Sequence, residues 1–171
     1  RIDKKIHNRA VLAAMTNKQS YENGIISDDE IAWLLERAKG GFGIITTAAT
    51  NVSYEGKAWN GEFGVYDDYH LPSLTKLTST IHKTESLIIA QLFHGGMKSP
   101  QNITGLIPIS ASEIECTESS TGKSKQASEK DIKKIINDFT ASAIRCYKAG
   151  FDGIEIHGAH GYLISQFLGI N

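Results

Sequence analysis

The chain has 171 residues, a formal net charge of −1, 40% hydrophobic residues and 22% charged residues. This length is sufficient for one domain with a substantial core, and the near-neutral charge argues against nucleic acid or an anionic membrane surface as a partner. The two cysteines, Cys116 and Cys146, lack zinc-ligand spacing, and no apolar run reaches membrane-spanning length. We therefore expect a cytoplasmic protein that binds neither nucleic acid nor membrane, and homo-oligomer formation stays open.

Four short apolar runs predict four strands. They lie at residues 10–15, 43–47, 87–93 and 153–157. Each run has the length of a strand and lacks the apolar–polar alternation of a half-exposed sheet. Runs that are apolar on both faces are typical of a parallel sheet covered by helices.

Three amphipathic helices are predicted between these strands. The first begins at a capping box formed by Ser27 and Glu30, and it ends before the glycine pair that follows residue 39. The second spans residues 70–82, and we expect His70 and His82 on its surface. The third opens at residue 128 and ends at residue 150. The apolar stripe of the third helix consists of Ile132, Ile135, Ile136, Phe139, Ala143 and Tyr147.

The alternation of strands and helices predicts an α/β fold with a parallel sheet. A polar segment between residues 95 and 128 interrupts the alternation, and we expect an excursion over the sheet face with a small hairpin around residues 105–112. A (β/α)8 barrel needs ~250 residues. The chain therefore supplies about four β/α units of such a barrel.

The densest group of chemically active side chains follows the fourth predicted strand. It consists of His157, His160 and Tyr162, and ligand sites of parallel α/β proteins lie at this end of the strands. Two imidazoles and a phenol can hold and polarise a carbonyl oxygen and deliver a proton nearby. Two other interpretations stay open: a hydrogen-bonded pair of core histidines, and a metal site with His94 as the third ligand.

The ends of the other strands carry small or polar residues. Thr16 and Gln91 offer a hydroxyl and an amide that suit the edge of a heteroaromatic ring, while Ala14 and Ala48 allow a flat ring to approach the backbone. Thr16 alone is also typical of a turn, and Gln91 in an apolar strand requires hydrogen-bond partners. His94 stands in a glycine-rich turn, where we expect its ring to bond the backbone.

Several short stretches of this sequence, taken together in chain order, resemble the Old Yellow Enzyme family of FMN-dependent NAD(P)H:flavin oxidoreductases and ene-reductases. The resemblance covers nearly the whole chain, and the most specific block runs from His157 to Leu163, followed by Gln166-Phe167-Leu168. The other blocks are weak singly and strong in combination. They are residues 6–9, 14–16, 37–43, 91–96 and 149–153.

The resemblance implies a TIM (β/α)8 barrel, of which residues 1–171 form the N-terminal half as a partial FMN-binding domain. It also implies that His157 and His160 grip the carbonyl oxygen of an activated alkene while Tyr162 protonates the alkene carbon. NADH or NADPH is then the electron donor, and a small α,β-unsaturated carbonyl compound is the substrate. The implied cofactor contacts are Ala13, Ala14, Met15, Thr16, Ala48 and Gln91.

Three hypotheses follow from the sequence. The leading one is an FMN-dependent oxidoreductase that passes hydride from NAD(P)H through the flavin to an activated alkene. The second is a metal-dependent TIM-barrel hydrolase or lyase that uses His157 and His160 as ligands. The third is an inert half-barrel that needs a partner chain, because phosphate-binding loops in TIM barrels follow strands seven and eight.

Overall fold

The structure is a computed structural model that describes residues 4–169, so both ends of the predicted 1–171 domain lie outside the described residues. The strands are β1 (Val11–Leu12), β2 (Ile44–Asn51), β3 (Leu87–Phe93), β4 (Ile109–Ser110), β5 (Lys125–Gln126) and β6 (Gly153–Ile156). The α-helices are α1 (Asp28–Lys39), α2 (Leu71–Ile81), α3 (Gln101–Thr104), α4 (Glu129–Lys148) and α5 (Leu163–Leu168). Three single 3-10 turns lie at Tyr54–Gly56, Asp68–His70 and Gly96–Lys98.

The main sheet is parallel, and its strands follow one another in the order β1-β2-β3-β6. Helices α1, α2 and α4 lie between consecutive strands of this sheet in the chain. Successive βαβ units in spatial order are the building blocks of a TIM barrel. The predicted parallel α/β pattern is therefore confirmed, although β1 is only two residues long and β2 continues to Asn51.

The hydrophobic core lies between the sheet and the helices. Strand residues Ile45, Ile88 and Leu92 are fully buried against Leu34 of α1 and Leu77 of α2. Burial of each such side chain contributes about 1.5–3 kcal/mol to folding. Among residues 4–169, no helix is both long enough and apolar enough to span a membrane.

The N-termini of α1 and α4 are both capped by a serine, but the capping hydrogen bonds differ. Ser27 Oγ accepts from the Glu30 backbone N–H at 3.1 Å, whereas the Glu30 carboxylate is buried and accepts from the Ser20 hydroxyl. Because Ser20 also accepts from the Ser27 N–H, the second half of the predicted box is taken over by a serine outside the helix. At α4 the reciprocal box between Ser128 and Asp131 is complete.

The polar excursion differs from the predicted hairpin at residues 105–112. Residue Gly105 instead ends α3 in the left-handed conformation, and β4 pairs in parallel with β5. An antiparallel bridge joins Glu115 to Lys123 further along the segment. The excursion therefore folds back on itself as a small two-stranded unit beside the main sheet.

Helical periodicity predicts burial wrongly in two places. His70, predicted on the helix surface, is fully buried: its Nδ1 accepts from the Asp67 N–H at 3.3 Å, and its Nε2 donates to the Asn23 carbonyl at 3.3 Å. In α4, Ile136 and Tyr147 of the predicted apolar stripe are 58% and 82% exposed. The exposed Ile136 borders an apolar groove of about 390 Å³ between α4, β6 and α5.

Strand β2 contains a bulge that decides which of its residues face the cavity described below. Thr47 and Ala48 stand where β3 has only Ala90, and the register resumes with Ala49 opposite Gln91. The Thr47 hydroxyl accepts from the Gln91 N–H at 3.2 Å and donates to the Ala48 carbonyl at 2.8 Å. One threonine hydroxyl thus satisfies a backbone donor that the bulge removes from the ladder.

Strand β3 ends in a turn that buries His94. Its Nδ1 accepts from the Gly96 N–H at 3.0 Å, as the sequence predicts for a glycine-rich turn. Gly56 lies against the His94 ring so closely that an added Cβ would stand 2.7 Å from it. Burial, followed by the positive charge of Lys134, lowers the pKa of His94 to about 3.

We predict that Thr47→Val lowers the free energy of unfolding by about 1–3 kcal/mol, because it leaves the buried Gln91 N–H without a partner. Urea denaturation followed by circular dichroism measures the change. Thr75→Val, at an exposed position of α2, is the matched control and should change stability by much less. Equal stability of the two variants would contradict the role of the Thr47 hydroxyl.

We also predict that His94 makes stability depend on pH below about 6.5. Below this pH the unfolded chain binds a proton at His94 while the folded chain does not. The free energy of unfolding therefore falls by up to about 1.4 kcal/mol for each unit by which the pH is lowered. His94→Asn keeps an acceptor for the Gly96 N–H and cannot titrate, so it should lose less stability than the parent between pH 7 and 5. Urea titrations with exposed His7→Asn as control check this, and parallel pH profiles would refute it.

Candidate active site

The C-terminal ends of β1, β2, β3 and β6 border an open cavity of about 510 Å³. Small-molecule sites in proteins occupy about 300–1,000 Å³. Seven of the nine residues predicted from the sequence line this cavity. They are Ala14, Met15, Thr16, Gln91, His157, His160 and Tyr162.

Two predicted cofactor contacts lie elsewhere. Ala13 is exposed and is not part of the cavity wall. Ala48 is 7% exposed and belongs to the hydrophobic core, while its neighbour Ala49 lines the cavity. The reason is the bulge in β2, which exchanges the faces of adjacent residues.

A row of three residues crosses the floor of the cavity. Ala49, Gln91 and Glu155 are consecutive partners in the parallel register of β2, β3 and β6. The Gln91 side-chain amide donates to the Glu155 carboxylate, so the hydrogen-bond partner expected for a buried glutamine is an acid on the next strand. The Gln91–Glu155 pair fixes a polar edge along one side of the cavity.

The wall also contains residues that the sequence did not identify. Trp59 follows β2 in an irregular loop, and its ring lies 5.3 Å from that of the fully buried Phe93. Gly158 and Ala159 contribute small surfaces beside the histidines. Trp59 gives no periodic signal, and only its position after a strand end connects it with the site.

His157 is held as a neutral hydrogen-bond donor. The Ala159 N–H donates to His157 Nδ1 at 3.2 Å, which assigns the ring proton to Nε2. Burial, followed by the nearby His160, lowers the pKa of His157, whereas Glu155 acts in the opposite direction. At neutral pH the ring therefore offers one N–H without carrying a positive charge.

The rings of His157, His160 and Tyr162 pack edge to face, and two of them contact one buried phenylalanine. The ring of His157 lies 5.3 Å from that of His160 and 5.1 Å from that of Tyr162, and all three ring pairs are close to perpendicular. Phe93 contacts His157 at 5.8 Å and Tyr162 at 4.6 Å. Because Phe93 is fully buried, it fixes these rings relative to the sheet.

Tyr162 is arranged to retain its proton. Burial, followed by the negative charge of Glu62, raises the pKa of its phenol above the ordinary value. A phenol of this kind gives up its proton only to a strong base.

The described part of the chain does not favour a metal centre. Among residues 4–169, no group of three or more His, Cys, Asp or Glu side chains could hold a metal ion. His94, the third ligand of that hypothesis, is buried in its turn and is not part of the cavity wall. Its Nδ1 is already occupied by the Gly96 N–H.

The cavity walls instead suit a flat heteroaromatic ring. Ala14, Ala49 and Gly158 present small surfaces, and Thr16 and Gln91 provide hydrogen-bonding groups at the edge. Such a ring exposes carbonyl oxygens and ring nitrogens that a hydroxyl and an amide can bond. The donor set therefore fits a flavin-like ring better than a metal ion.

Comparison with known proteins identifies the relatives of this chain. The sequence profile of the "NADH:flavin oxidoreductase / NADH oxidase family" matches residues 2–171. The "Probable NADH-dependent flavin oxidoreductase YqiG" of Bacillus subtilis (strain 168) is 36% identical over 162 residues, which cover 95% of this chain and 43% of that protein. The "NADPH dehydrogenase" of Clostridium acetobutylicum is 37% identical over 163 residues, which cover 95% and 47%.

A solved structure gives the same result. The Old Yellow Enzyme homologue from Zymomonas mobilis superposes with a TM-score of 0.87 at 29% identity, over 95% of this chain and 47% of that one. The chain spans less than half the length of these three relatives, and its four parallel strands correspond to part of their TIM barrel. The chain belongs to the NADH:flavin oxidoreductase / NADH oxidase family, which includes the Old Yellow Enzymes.

Proposed function

We propose that the protein carrying this chain is an FMN-dependent oxidoreductase that reduces activated alkenes with electrons from NADH or NADPH. The observation that carries the proposal is the convergence of His157, His160 and Tyr162 above a wall that includes Thr16 and Gln91. Family membership and the names of the relatives, one NADH-dependent and one an NADPH dehydrogenase, support it. We infer that residues 1–171 form the N-terminal half of the FMN-binding barrel domain.

FMN, when bound, supplies hydride transfer between the nicotinamide and the alkene. Of the residues described here, Ala14, Met15, Thr16, Ala49 and Gln91 would hold its ring, with the alanines as small contacts and Thr16 and Gln91 as hydrogen-bonding groups. Ala49 replaces the predicted Ala48 in this set. The phosphate of such a cofactor is bound in TIM barrels by loops after strands seven and eight.

His157 and His160 bind and polarise the substrate carbonyl oxygen in this proposal. When hydride reaches the β-carbon of an α,β-unsaturated carbonyl compound, negative charge develops on that oxygen. Fixed N–H donors aimed at a developing oxyanion stabilise it without reorganising during the reaction. Nε2 of His157 supports this role because Nδ1 is fixed as an acceptor by the Ala159 N–H.

Tyr162 supplies the proton that completes the reduction. Its ring packs perpendicular to the ring of His157 at 5.1 Å, so the acid and the oxyanion donor occupy one face of the cavity. Its raised pKa keeps the phenol protonated at neutral pH until the substrate α-carbon becomes basic. The two histidines orient the substrate so that this carbon faces the phenol.

The apolar groove beside β6 supports a requirement for further barrel segments. It lies between α4, β6 and α5, and Ile156 of β6 and Phe167 of α5 are 56% and 44% exposed there. In a TIM barrel the next strand and its helix occupy this place. We infer that the complete site forms when these segments, from the same chain or a partner, cover the groove.

A visible spectrum tests the proposed function directly. We expect the holoenzyme to be yellow, to lose its flavin absorbance when NADH or NADPH is added without oxygen, and to regain it when 2-cyclohexen-1-one follows. A saturated ketone, cyclohexanone, is the control and should leave the reduced spectrum unchanged. A colourless protein containing stoichiometric zinc or iron would support the metal-dependent hypothesis instead.

We predict that His157→Ala lowers kcat/KM for alkene reduction about 10²-fold, because one oxyanion donor is lost. It should also weaken binding of 4-hydroxybenzaldehyde, measured by the change in flavin absorbance, while flavin content stays the same. Exposed His7→Ala is the matched control. Unchanged turnover together with unchanged phenol affinity would refute the role assigned to His157.

A further inference from the structure

The loop that joins the two substrate-facing donors to the acid has an unusual backbone. His160 has φ +59° and Gly161 has φ +68°, so two consecutive residues adopt the left-handed conformation. A residue with a Cβ enters this region only when its surroundings hold it there. The direction in which Tyr162 leaves the loop depends on this pair of residues.

Two side chains bind the carbonyl oxygens of this left-handed pair. Lys98 Nζ donates to the His160 carbonyl at 2.7 Å, and Gln166 Nε2 donates to the Gly161 carbonyl at 2.7 Å. Gln166 is local to α5, whereas Lys98 lies after β3 and is 62 positions distant in the chain. Lys98 therefore connects the loop to the segment that follows a different strand, β3, by a charge-assisted hydrogen bond.

The same ammonium group also lies over the acid. Lys98 Nζ is 5.3 Å from the centroid of the Tyr162 ring, within the range of a cation–π contact. Gly161 leaves room for this approach, since a Cβ added there would stand 3.4 Å from Lys98 Nζ. One side chain thus contacts the backbone before Tyr162 and the face of its ring.

We propose that Lys98 is a positioning residue for Tyr162. Its ammonium group holds the left-handed loop through the His160 carbonyl and sets the phenol in place through contact with the face of the Tyr162 ring. The proposal rests on the proposed function of Tyr162 as the proton donor. Its geometric basis, one ammonium group on both the loop and the ring, is independent of the cofactor.

The charge of Lys98 has a second consequence for the phenol. The titratable groups that act on Tyr162 are His157 and His160, whose rings contact it, and Glu62, whose negative charge raises its pKa after the larger effect of burial. A cation over the ring favours the ionised phenol and so opposes Glu62. Removal of the Lys98 charge should therefore make Tyr162 a weaker acid.

The test uses Lys98→Met and Lys98→Arg in the holoenzyme, with exposed Lys123→Met as the matched control. We expect Lys98→Met to slow reoxidation of the reduced flavin by 2-cyclohexen-1-one about tenfold, as for the loss of one hydrogen bond to a charged group. The alkaline limb of its pH profile should move to higher pH, and Lys98→Arg should restore most of the rate. Amide hydrogen exchange at Gly161 and Tyr162 should be faster in Lys98→Met only.

Two results would overturn the proposal. The first is a Lys98→Met protein with parental exchange rates and a parental pH profile, which would make Lys98 an ordinary surface lysine. The second is faster amide exchange with an unchanged rate and profile, which would make its role purely structural. If no variant, including the parent, reduces an alkene, the proposed function fails, and parental amide exchange in Lys98→Met would then separately refute its hold on the loop.

Discussion

The parallel pairing of β3 with β6 is the constraint on which the site depends. Its register places Gln91 beside Glu155, and the His157 N–H continues the ladder by donating to the Leu92 carbonyl at 2.9 Å. His157 therefore leaves the sheet directly above the polar edge of the cavity. Slippage of β6 by one residue would turn His157 and Glu155 to the opposite face, because side chains alternate along a strand. The rings of His157 and Tyr162 share a buried contact, Phe93, which ends the neighbouring strand β3.

The electrostatic surroundings fix the protonation states on which the proposed roles of His157 and Tyr162 depend. His157 is kept neutral by burial and by its neighbour His160, so it can donate a hydrogen bond without attracting an anion from solvent. Tyr162 is kept protonated by burial and by Glu62. Both shifts preserve the proton-bearing neutral form at neutral pH. Groups whose environment fixes the protonation state that the reaction needs are typical of active sites.

The sequence predicts the strands of the main sheet, the main helices and much of the cavity lining because these depend on local patterns. Apolar runs identify β2, β3 and β6, and parallel topology alone brings Thr16 and Gln91 to the edge that carries His157. The wrong assignments depend on tertiary contacts. The bulge that turns Ala49 instead of Ala48 toward the cavity leaves no pattern in a run of small residues. His70 is fully buried, and its ring bonds the Asn23 carbonyl oxygen of a loop distant in the chain. Trp59 enters the site from irregular chain, for which periodicity has no information.

The position of the proposed substrate-facing groups within the barrel has a consequence for the proposed function. The groups proposed to act on the substrate, namely His157, His160 and Tyr162, all follow a single strand of this chain, whereas TIM barrels bind phosphate after their seventh and eighth strands. In the proposed function, the groups that act on the substrate and the loops that bind the cofactor phosphate therefore lie on separate segments of the barrel. Lys98 ties the His160 carbonyl to the segment that follows β3. Changes in the phosphate-binding segments can therefore leave the relative positions of Tyr162 and the two histidines unaltered. In the proposed function, the positions of the two histidines and the phenol relative to one another are therefore set by residues that follow two neighbouring strands, β3 and β6.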